Sequence, residues 1–125
     1  MNTIKSYRDL MVWQKAMDLA VQVYGLLEFL PKHEDFGLKS QIRRSVASVP
    51  ANSAEGHGRD PLGDFSHHLS IAKGSLAELE THLLLATRLG YLNEAQSRPS
   101  LQSADEISRR LAGLSAKLRR PKPRT

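Results

Sequence analysis

Residues 45–59 read SVASVPANSAEGHGR, and this stretch decides how the chain folds because it joins two long helical patterns. Pro50 lies inside a helical run, where a proline removes one backbone hydrogen bond and presses its ring against the carbonyl four residues earlier. The side chains around it are small, which lets another backbone approach closely. We therefore predict a bent, closely packed helix that ends at Gly56 and Gly58, because glycine favours helix ends.

The pattern before this stretch predicts a first helix from Arg8 to about Phe29, with apolar residues at steps of three and four. These residues form two adjacent rows: Leu10, Trp13, Met17, Ala20, Tyr24 and Leu27, and beside them Val12, Ala16, Leu19, Val23, Leu26 and Leu30. Together the rows span an arc of about 160°, whereas a surface helix needs only about 100°. We expect another copy of the chain to cover the surplus; loops or helices of the same chain are the alternative.

Two long helices follow. The second is predicted from about Glu34 to His57, and acidic residues in its first turn suit the positive end of the helix dipole. Asp60 as N-cap and Pro61 as first helical residue then start a third helix, which Gly90 ends. The third helix has the most regular apolar stripe: Leu62, Phe65, Leu69, Ala72, Leu76, Leu79, Leu83 and Ala86.

A fourth helix follows Asn93, whose spacing from Gln96 resembles a capping box. Pro99 leaves two alternatives: a short turn before a helix that starts near Pro99, or one bent helix. No strand-like alternation appears, so the predicted fold is all-α, an up-down-up-down antiparallel four-helix bundle over residues 1–118. Residues 119–125 are predicted to form a basic disordered tail.

The positive charge is concentrated at one end of the sequence. Five of the 18 basic residues lie within residues 117–125, which hold no acidic residue, so the remainder has 13 basic and 13 acidic residues. A neutral body argues against strong nucleic-acid binding, although a basic tail raises weak, salt-sensitive affinity; a solvated end without a partner is the alternative. We expect any contact with RNA or DNA to use six residues: Lys39, Arg43, Arg44, Lys117, Arg119 and Arg120.

The sequence lacks the residues and motifs that several kinds of catalysis, nucleotide binding and metal binding require. The absence of cysteine excludes disulfides, thiol catalysis and thiolate metal sites. The sequence has no nucleophile elbow, no nucleotide-binding motif and no glutamate three residues before a histidine, as a di-iron bundle would need. No signal-peptide pattern and no apolar run of roughly 20 residues appear. We therefore expect a cytoplasmic protein with no membrane partner, no catalytic residue, no cofactor and no metal.

A polar group is predicted where the second and third helices meet. Residues equally distant from the connection face each other in antiparallel helices, so Asn52 and Glu55 should meet residues 64–68. By the same count, Ser75 and Glu78 should lie opposite Arg44 and Gln41. We expect this seam to fix register rather than to add net stability. Its predicted members are Asn52, Glu55, Gly56, Arg59, Ser75 and Glu78, with Glu55 and Arg59 close enough in sequence to pair.

Several short motifs together carry a family resemblance over residues 7–118. They include Tyr7-Arg8-Asp9-Leu10, Phe36-Gly37-Leu38, Gln41-Ile42-Arg43-Arg44-Ser45, Ser48-Val49-Pro50-Ala51-Asn52, Ala54-Glu55-Gly56 and Leu89-Gly90-Tyr91-Leu92. With these motifs the chain resembles the four-helix bundle proteins called 23S ribosomal RNA intervening-sequence proteins. It departs from the family pattern at Ser53, where an apolar isoleucine is usual, and at Pro99.

The resemblance implies a cytosolic bacterial protein that forms five-subunit rings and has no enzymatic activity. Some relatives are encoded in inserts within ribosomal RNA genes. A related bundle is the accessory protein of diversity-generating retroelements, which binds nucleic acid and a reverse transcriptase. We therefore expect a homo-oligomer, a pentamer, that binds RNA or DNA. The alternative is a protein-interaction or assembly scaffold, with another protein as partner and no nucleic-acid role.

Overall fold

The computed structural model describes residues 6–57 and 62–118, and four helices account for most of them. The helices are α1 (Met11–Leu26), α2 (Leu38–His57), α3 (Leu62–Arg88) and α4 (Glu94–Leu118). Each packs against two neighbours in the cyclic order α1, α2, α3, α4, and α2 and α3 share the most extensive contact. No strand occurs in the two described ranges. The predicted antiparallel four-helix bundle is therefore confirmed.

Aliphatic side chains fill the space between the helices. Of the two apolar rows on α1, the second is the one that enters the core, because Val12, Ala16, Leu19 and Val23 are all buried. The first row is buried only at its ends, at Leu10 and Leu27, and its middle lies along the flank and is only partly covered. Six residues of the predicted α3 stripe, from Leu69 to Ala86, are buried, and Phe65 is partly buried. The other helices complete the core with Ile42, Val46, Val49, Ala104, Ile107 and Leu111.

The connection between α1 and α2 is longer than predicted, because α1 ends at Leu26 and α2 begins only at Leu38. A short 3₁₀ turn, Leu27–Phe29, occupies residues that the sequence assigned to the first helix. A second 3₁₀ turn, Lys32–Glu34, forms most of the connection and includes Glu34, the predicted start of the second helix. α2 begins at Leu38, and the Leu38 backbone N–H donates to Oε1 of Glu34 at 3.1 Å. Glu34 therefore satisfies the start of the helix from outside rather than from within its first turn.

The connection between α3 and α4 has the predicted end signals. Gly90 has φ +83°, a conformation that glycine adopts without strain, and its N–H donates to the Thr87 carbonyl at 3.0 Å. At the start of α4 the Asn93 side chain accepts from the Gln96 N–H, and the Gln96 side chain accepts from the Asn93 N–H, both at 2.8 Å. This reciprocal capping lets α4 start at Glu94 and continue through Pro99.

α2 continues through the unusual stretch that opened the sequence. Pro50 lies inside the helix and is buried. Ser53 is also buried, and its hydroxyl donates to the Val49 carbonyl at 2.8 Å. The helix reaches His57, the predicted end, and Gly56 lies inside its last turn. The predicted cap at Asp60 and Pro61 and the predicted tail at residues 119–125 lie outside the described residues.

Candidate functional site

A chain of polar contacts joins α2 and α3 near their connection. The Ser75 hydroxyl donates to the Ser48 hydroxyl at 2.8 Å, and Nδ2 of Asn52 donates to the same Ser48 oxygen at 2.9 Å. Oδ1 of Asn52 lies 3.0 Å from Nδ1 of His68. Nε2 of His68 lies 4.0 Å from Oε1 of Glu55. We call these five residues, Ser48, Asn52, Glu55, His68 and Ser75, the polar seam.

Three features of the polar seam differ from the sequence prediction. Ser75 lies opposite Ser48, one helical turn from the predicted position opposite Arg44. Glu78 is exposed and does not take part in the hydrogen bonds of the seam. His68 was not among the predicted members, although it falls within the range expected to face Asn52 and Glu55. Arg59, the predicted partner of Glu55, lies outside the described residues.

Gly56 lets α2 and α3 approach closely at the polar seam. A Cβ built on Gly56 would lie 2.7 Å from Cβ of His68 and 3.0 Å from Cδ1 of Phe65. Phe65 in turn makes an edge contact with the His57 ring, with the ring centroids 6.0 Å apart. Only a residue without a side chain fits between the helices here, so Gly56 serves close packing rather than helix termination.

The predicted nucleic-acid contacts on α2 do not form one cationic patch. Nζ of Lys39 pairs with Oδ1 of Asp35 at 2.7 Å, and Nη2 of Arg43 donates to the Asp35 carbonyl at 3.0 Å. The hydrogen bond from Lys39 holds the pKa of Asp35 below its ordinary value. Arg44 is exposed on a different side of the helix. Both Lys39 and Arg43 thus bind their own chain, while Arg44 faces solvent.

The remaining predicted cationic residues lie at the end of the sequence. Lys117 is exposed in the last turn of α4. Arg119 and Arg120 lie outside the described residues. A nucleic-acid role for the six predicted residues therefore stays a prediction.

At the end of the bundle opposite the α2–α3 connection, Tyr91 makes the main polar contacts. Its hydroxyl donates to Oε2 of Glu34 at 3.0 Å and lies 3.4 Å from Nε2 of His33. Hydrogen bonds from the Leu38 backbone and from Tyr91 lower the pKa of Glu34, and the same contact with Glu34 raises the pKa of Tyr91. One carboxylate thus starts α2 and ties the α1–α2 connection to the α3–α4 connection.

The clefts of the described residues lack converging catalytic groups. The cleft between α1 and α4 measures about 190 Å³, and the ion pair between Lys15 and Glu106 spans it at 3.3 Å. Burial raises the pKa of Glu80, with a smaller effect of Asp105, but this carboxylate is on the α4 side of α3, away from the polar seam. No group of three potential metal ligands occurs among the described residues.

An apolar strip on α1 faces solvent. Met17, Val21 and Tyr24 are 41%, 74% and 46% exposed. They are spaced one helical turn apart and continue from Trp13. Trp13 is half-buried and makes an edge contact with the Tyr7 ring at a centroid distance of 5.4 Å. We call Trp13, Met17, Val21 and Tyr24 the α1 strip. None of the helices formed by the described residues has the length and hydropathy to cross a bilayer.

These features define an all-α bundle whose main polar site is a helix–helix seam. The chain belongs to the 23S rRNA-intervening sequence protein family, whose profile matches residues 8–113. It is similar to the crystal structure of a protein of unknown function from the S23 ribosomal protein family of Bacteroides thetaiotaomicron, with 29% identity and a TM-score of 0.78. That alignment covers 84% of this chain and 98% of the other. Among curated proteins, none matches the chain.

Proposed function

We propose that the chain is a non-enzymatic subunit of a homo-oligomeric ring, a pentamer, which binds RNA or DNA in its assembled form. The α1 strip is the observation that carries this proposal. Single exposed apolar residues are normal on a monomer. In the α1 strip, however, Met17, Val21 and Tyr24 occupy successive turns of one helix next to the half-buried Trp13. Such a continuous apolar surface is typical of a subunit interface.

Nucleic-acid binding in this proposal depends on repetition. The formal charge of the chain outside residues 117–125 is zero, so one subunit offers phosphate little attraction. A ring presents Arg44 and the basic end of the sequence several times, and linked weak contacts add avidity. The match to a family named for 23S rRNA supports RNA as the first nucleic acid to test.

The assembly is tested by light scattering on the full chain at micromolar concentration. We expect a multimer, and we expect Val21→Glu to lower its mass because the new carboxylate would be buried at the interface. Gln102→Glu makes the same change in charge on an exposed position of α4 and should leave the mass unchanged. A monomeric wild-type chain would contradict the proposal.

Nucleic-acid binding is tested by titrating the wild-type ring with RNA and with DNA of matched length at several salt concentrations. Phosphate contacts release counterions, so the affinity should fall steeply and linearly on a log–log plot of binding constant against salt. An absence of binding to both at low salt would remove the nucleic-acid part of the proposal and leave the ring.

A second function, an assembly scaffold for another protein, is favoured by one observation. Two of the three predicted α2 contacts, Lys39 and Arg43, already bind Asp35 of their own chain. A ring that binds no nucleic acid but retains a defined protein partner after nuclease treatment would favour this second function.

A further inference from the structure

One aromatic side chain of the described residues stands almost entirely in solvent. Phe36 is 98% exposed, more than any other large hydrophobic residue among those described. An isolated exposed leucine on a helix needs no explanation. A phenylalanine is different, because burying its side chain removes about 150–250 Å² of surface from water.

The backbone around Phe36 is held firmly. The residue before it, Asp35, pairs with Lys39 on α2 at 2.7 Å. Glu34 binds both the start of α2 and the Tyr91 hydroxyl. The position of Phe36 is therefore fixed by contacts on both sides of the turn, and such preorganisation lowers the entropic cost of inserting a side chain into a partner.

The same chain carries a groove that fits an aromatic ring. Thr81, Leu84, Leu85 and Arg88 line a groove of about 330 Å³ on the outer face of α3. Leu84 and Leu85 are 51% and 43% exposed there. An apolar cavity of about 150 Å³ is enough to hold benzene, so the groove has room for the ring of a phenylalanine.

Phe36 and the groove lie at the same end of the bundle. α2 begins two residues after Phe36 and runs antiparallel to α3, whose last turn contains Arg88. The hydrogen bond between Tyr91 and Glu34 places the two connections side by side at that end. Rotation about an axis parallel to the bundle keeps every residue at the same position along that axis. Phe36 of one copy can therefore meet the groove of the next copy, and repeating this contact can close a ring.

We infer that Phe36 of one subunit inserts into the groove formed by Thr81, Leu84, Leu85 and Arg88 of the neighbouring subunit. This inference rests on the proposed homo-oligomer and names one of its contacts. The charges around the two surfaces are compatible with the same occupant, because the Asp35 carboxylate beside Phe36 is 40% exposed while it pairs with Lys39, and Arg88 is exposed at the groove. A copy-to-copy contact between two different surfaces is the heterologous type that builds rings.

The absence of cysteine from the chain makes the test specific. A mass-tagged Phe36→Cys variant is mixed with an untagged Leu85→Cys variant, the subunits are allowed to exchange, and the mixture is oxidised. A disulfide requires the two Cβ atoms to lie within about 4 Å. We expect a mixed disulfide-linked dimer, which can only join different copies. Phe36→Cys mixed with Gln102→Cys, on the exposed side of α4, is the matched control and should give none.

The outcomes separate this inference from the proposed function. A multimeric wild-type chain together with the mixed dimer supports the insertion of Phe36. A multimeric wild-type chain with no mixed dimer, or with as much dimer in the control, overturns the insertion and leaves the ring. A monomeric wild-type chain overturns both. Because Phe36 is almost fully exposed, its replacement should leave the fold of the subunit intact, which circular dichroism checks.

Discussion

Asn52 on α2 binds His68 on α3 through a 3.0 Å contact between Oδ1 and Nδ1. The other end of the same amide donates to the carbonyl and to the hydroxyl of Ser48, both at 2.9 Å. With Oδ1 of Asn52 as the acceptor, Nδ1 of His68 must carry a hydrogen and donate it, and Nε2 faces Glu55. One asparagine thus uses its whole amide to join its own helix to the next.

Replacing Asn52 by alanine should destabilise the protein. The change removes three hydrogen bonds and leaves Nδ1 of the half-buried His68 without its partner, which costs about 1–3 kcal/mol. Chemical denaturation followed by circular dichroism measures the difference in free energy of unfolding. Ser70→Ala, on the exposed side of α3, is the control and should stay close to wild type. Identical denaturation midpoints for the wild type and Asn52→Ala would contradict the role of the polar seam.

Two glycine-to-alanine substitutions should have opposite effects. In Gly56→Ala the new Cβ meets Cβ of His68 at 2.7 Å, and we expect a loss of about 1–3 kcal/mol from overpacking. In Gly74→Ala the new Cβ meets nothing within 4 Å, and we expect a gain of about 0.5–1 kcal/mol because alanine favours the helix. Thermal melting of the two variants measures the difference, and a change of the same sign in both would contradict the close approach at Gly56.

Glu34 should make the free energy of unfolding depend on pH in the acidic range. The pKa of Glu34 in the folded state is below its ordinary value of 4.5, chiefly because its carboxylate accepts from the Leu38 backbone. A lowered folded-state pKa means that the stabilisation is complete above the unfolded-state value and is lost as the pH falls through the folded-state value. In Glu34→Gln this contribution should disappear. Denaturation at pH 7 and at several values below 4.5 should therefore show a difference that shrinks on acidification.

Tyr91→Phe is the companion variant for this measurement. It removes the hydrogen bond to Oε2 of Glu34 but keeps the bond from Leu38 to Oε1. Its acid dependence should fall between those of the wild type and Glu34→Gln. A profile identical to that of the wild type would show that Tyr91 does not contribute to the lowered pKa of Glu34.

Arg44 should affect nucleic-acid affinity more than Arg109. Arg44 is exposed, whereas Nη2 of Arg109 pairs with Asp105 at 3.1 Å. If Arg44 contacts phosphate, Arg44→Gln should weaken binding to all sequences alike and reduce the slope of log affinity against log salt by about one. Arg109→Gln is the charge-matched control and should leave the slope near its wild-type value. Equal slopes for all three proteins would remove Arg44 from the interface.

Helix ends and core stripes were predictable because their signals are local. The apolar spacing of α3, the glycine at residue 90 and the pairing of Asn93 with Gln96 each act within a few residues of sequence. Pro99 was ambiguous by the same reasoning. Pro99 lies inside α4, five residues after its start at Glu94, and the hydrogen bond between Asn93 and Gln96 caps that start.

The predicted position of Ser75 opposite α2 was wrong by one helical turn, because the alignment of α2 with α3 depends on non-local geometry. Counting residues from the connection assumes that two straight helices keep one offset along their whole length, and the sequence does not contain how the helices cross or bend. Asn52 and His68 fit the count, whereas Ser48 and Ser75 do not. His68 was missed as a seam residue because the five histidines of the chain form no pattern, although its distance from the connection pointed to Asn52.

The first helix shows the limit of periodicity in a different way. Both apolar rows fit a helix that packs against others, and spacing alone does not distinguish the row that enters the core. The structure buries Val12, Ala16, Leu19 and Val23 and leaves Met17 and Tyr24 partly in water. The surplus of apolar surface predicted from the wide arc is thus present, and what covers it is the subject of the proposed assembly.

The polar seam also bears on how the chain tolerates insertions. A slide of one helical turn, about 5.4 Å, would part Ser48 from Ser75 and Asn52 from His68 together, so only one alignment of the hairpin satisfies both pairs. That alignment is encoded in side chains along the helices, and the length of the linking segment does not enter it. We therefore expect a foreign loop inserted between α2 and α3 to leave the register of the two helices unchanged.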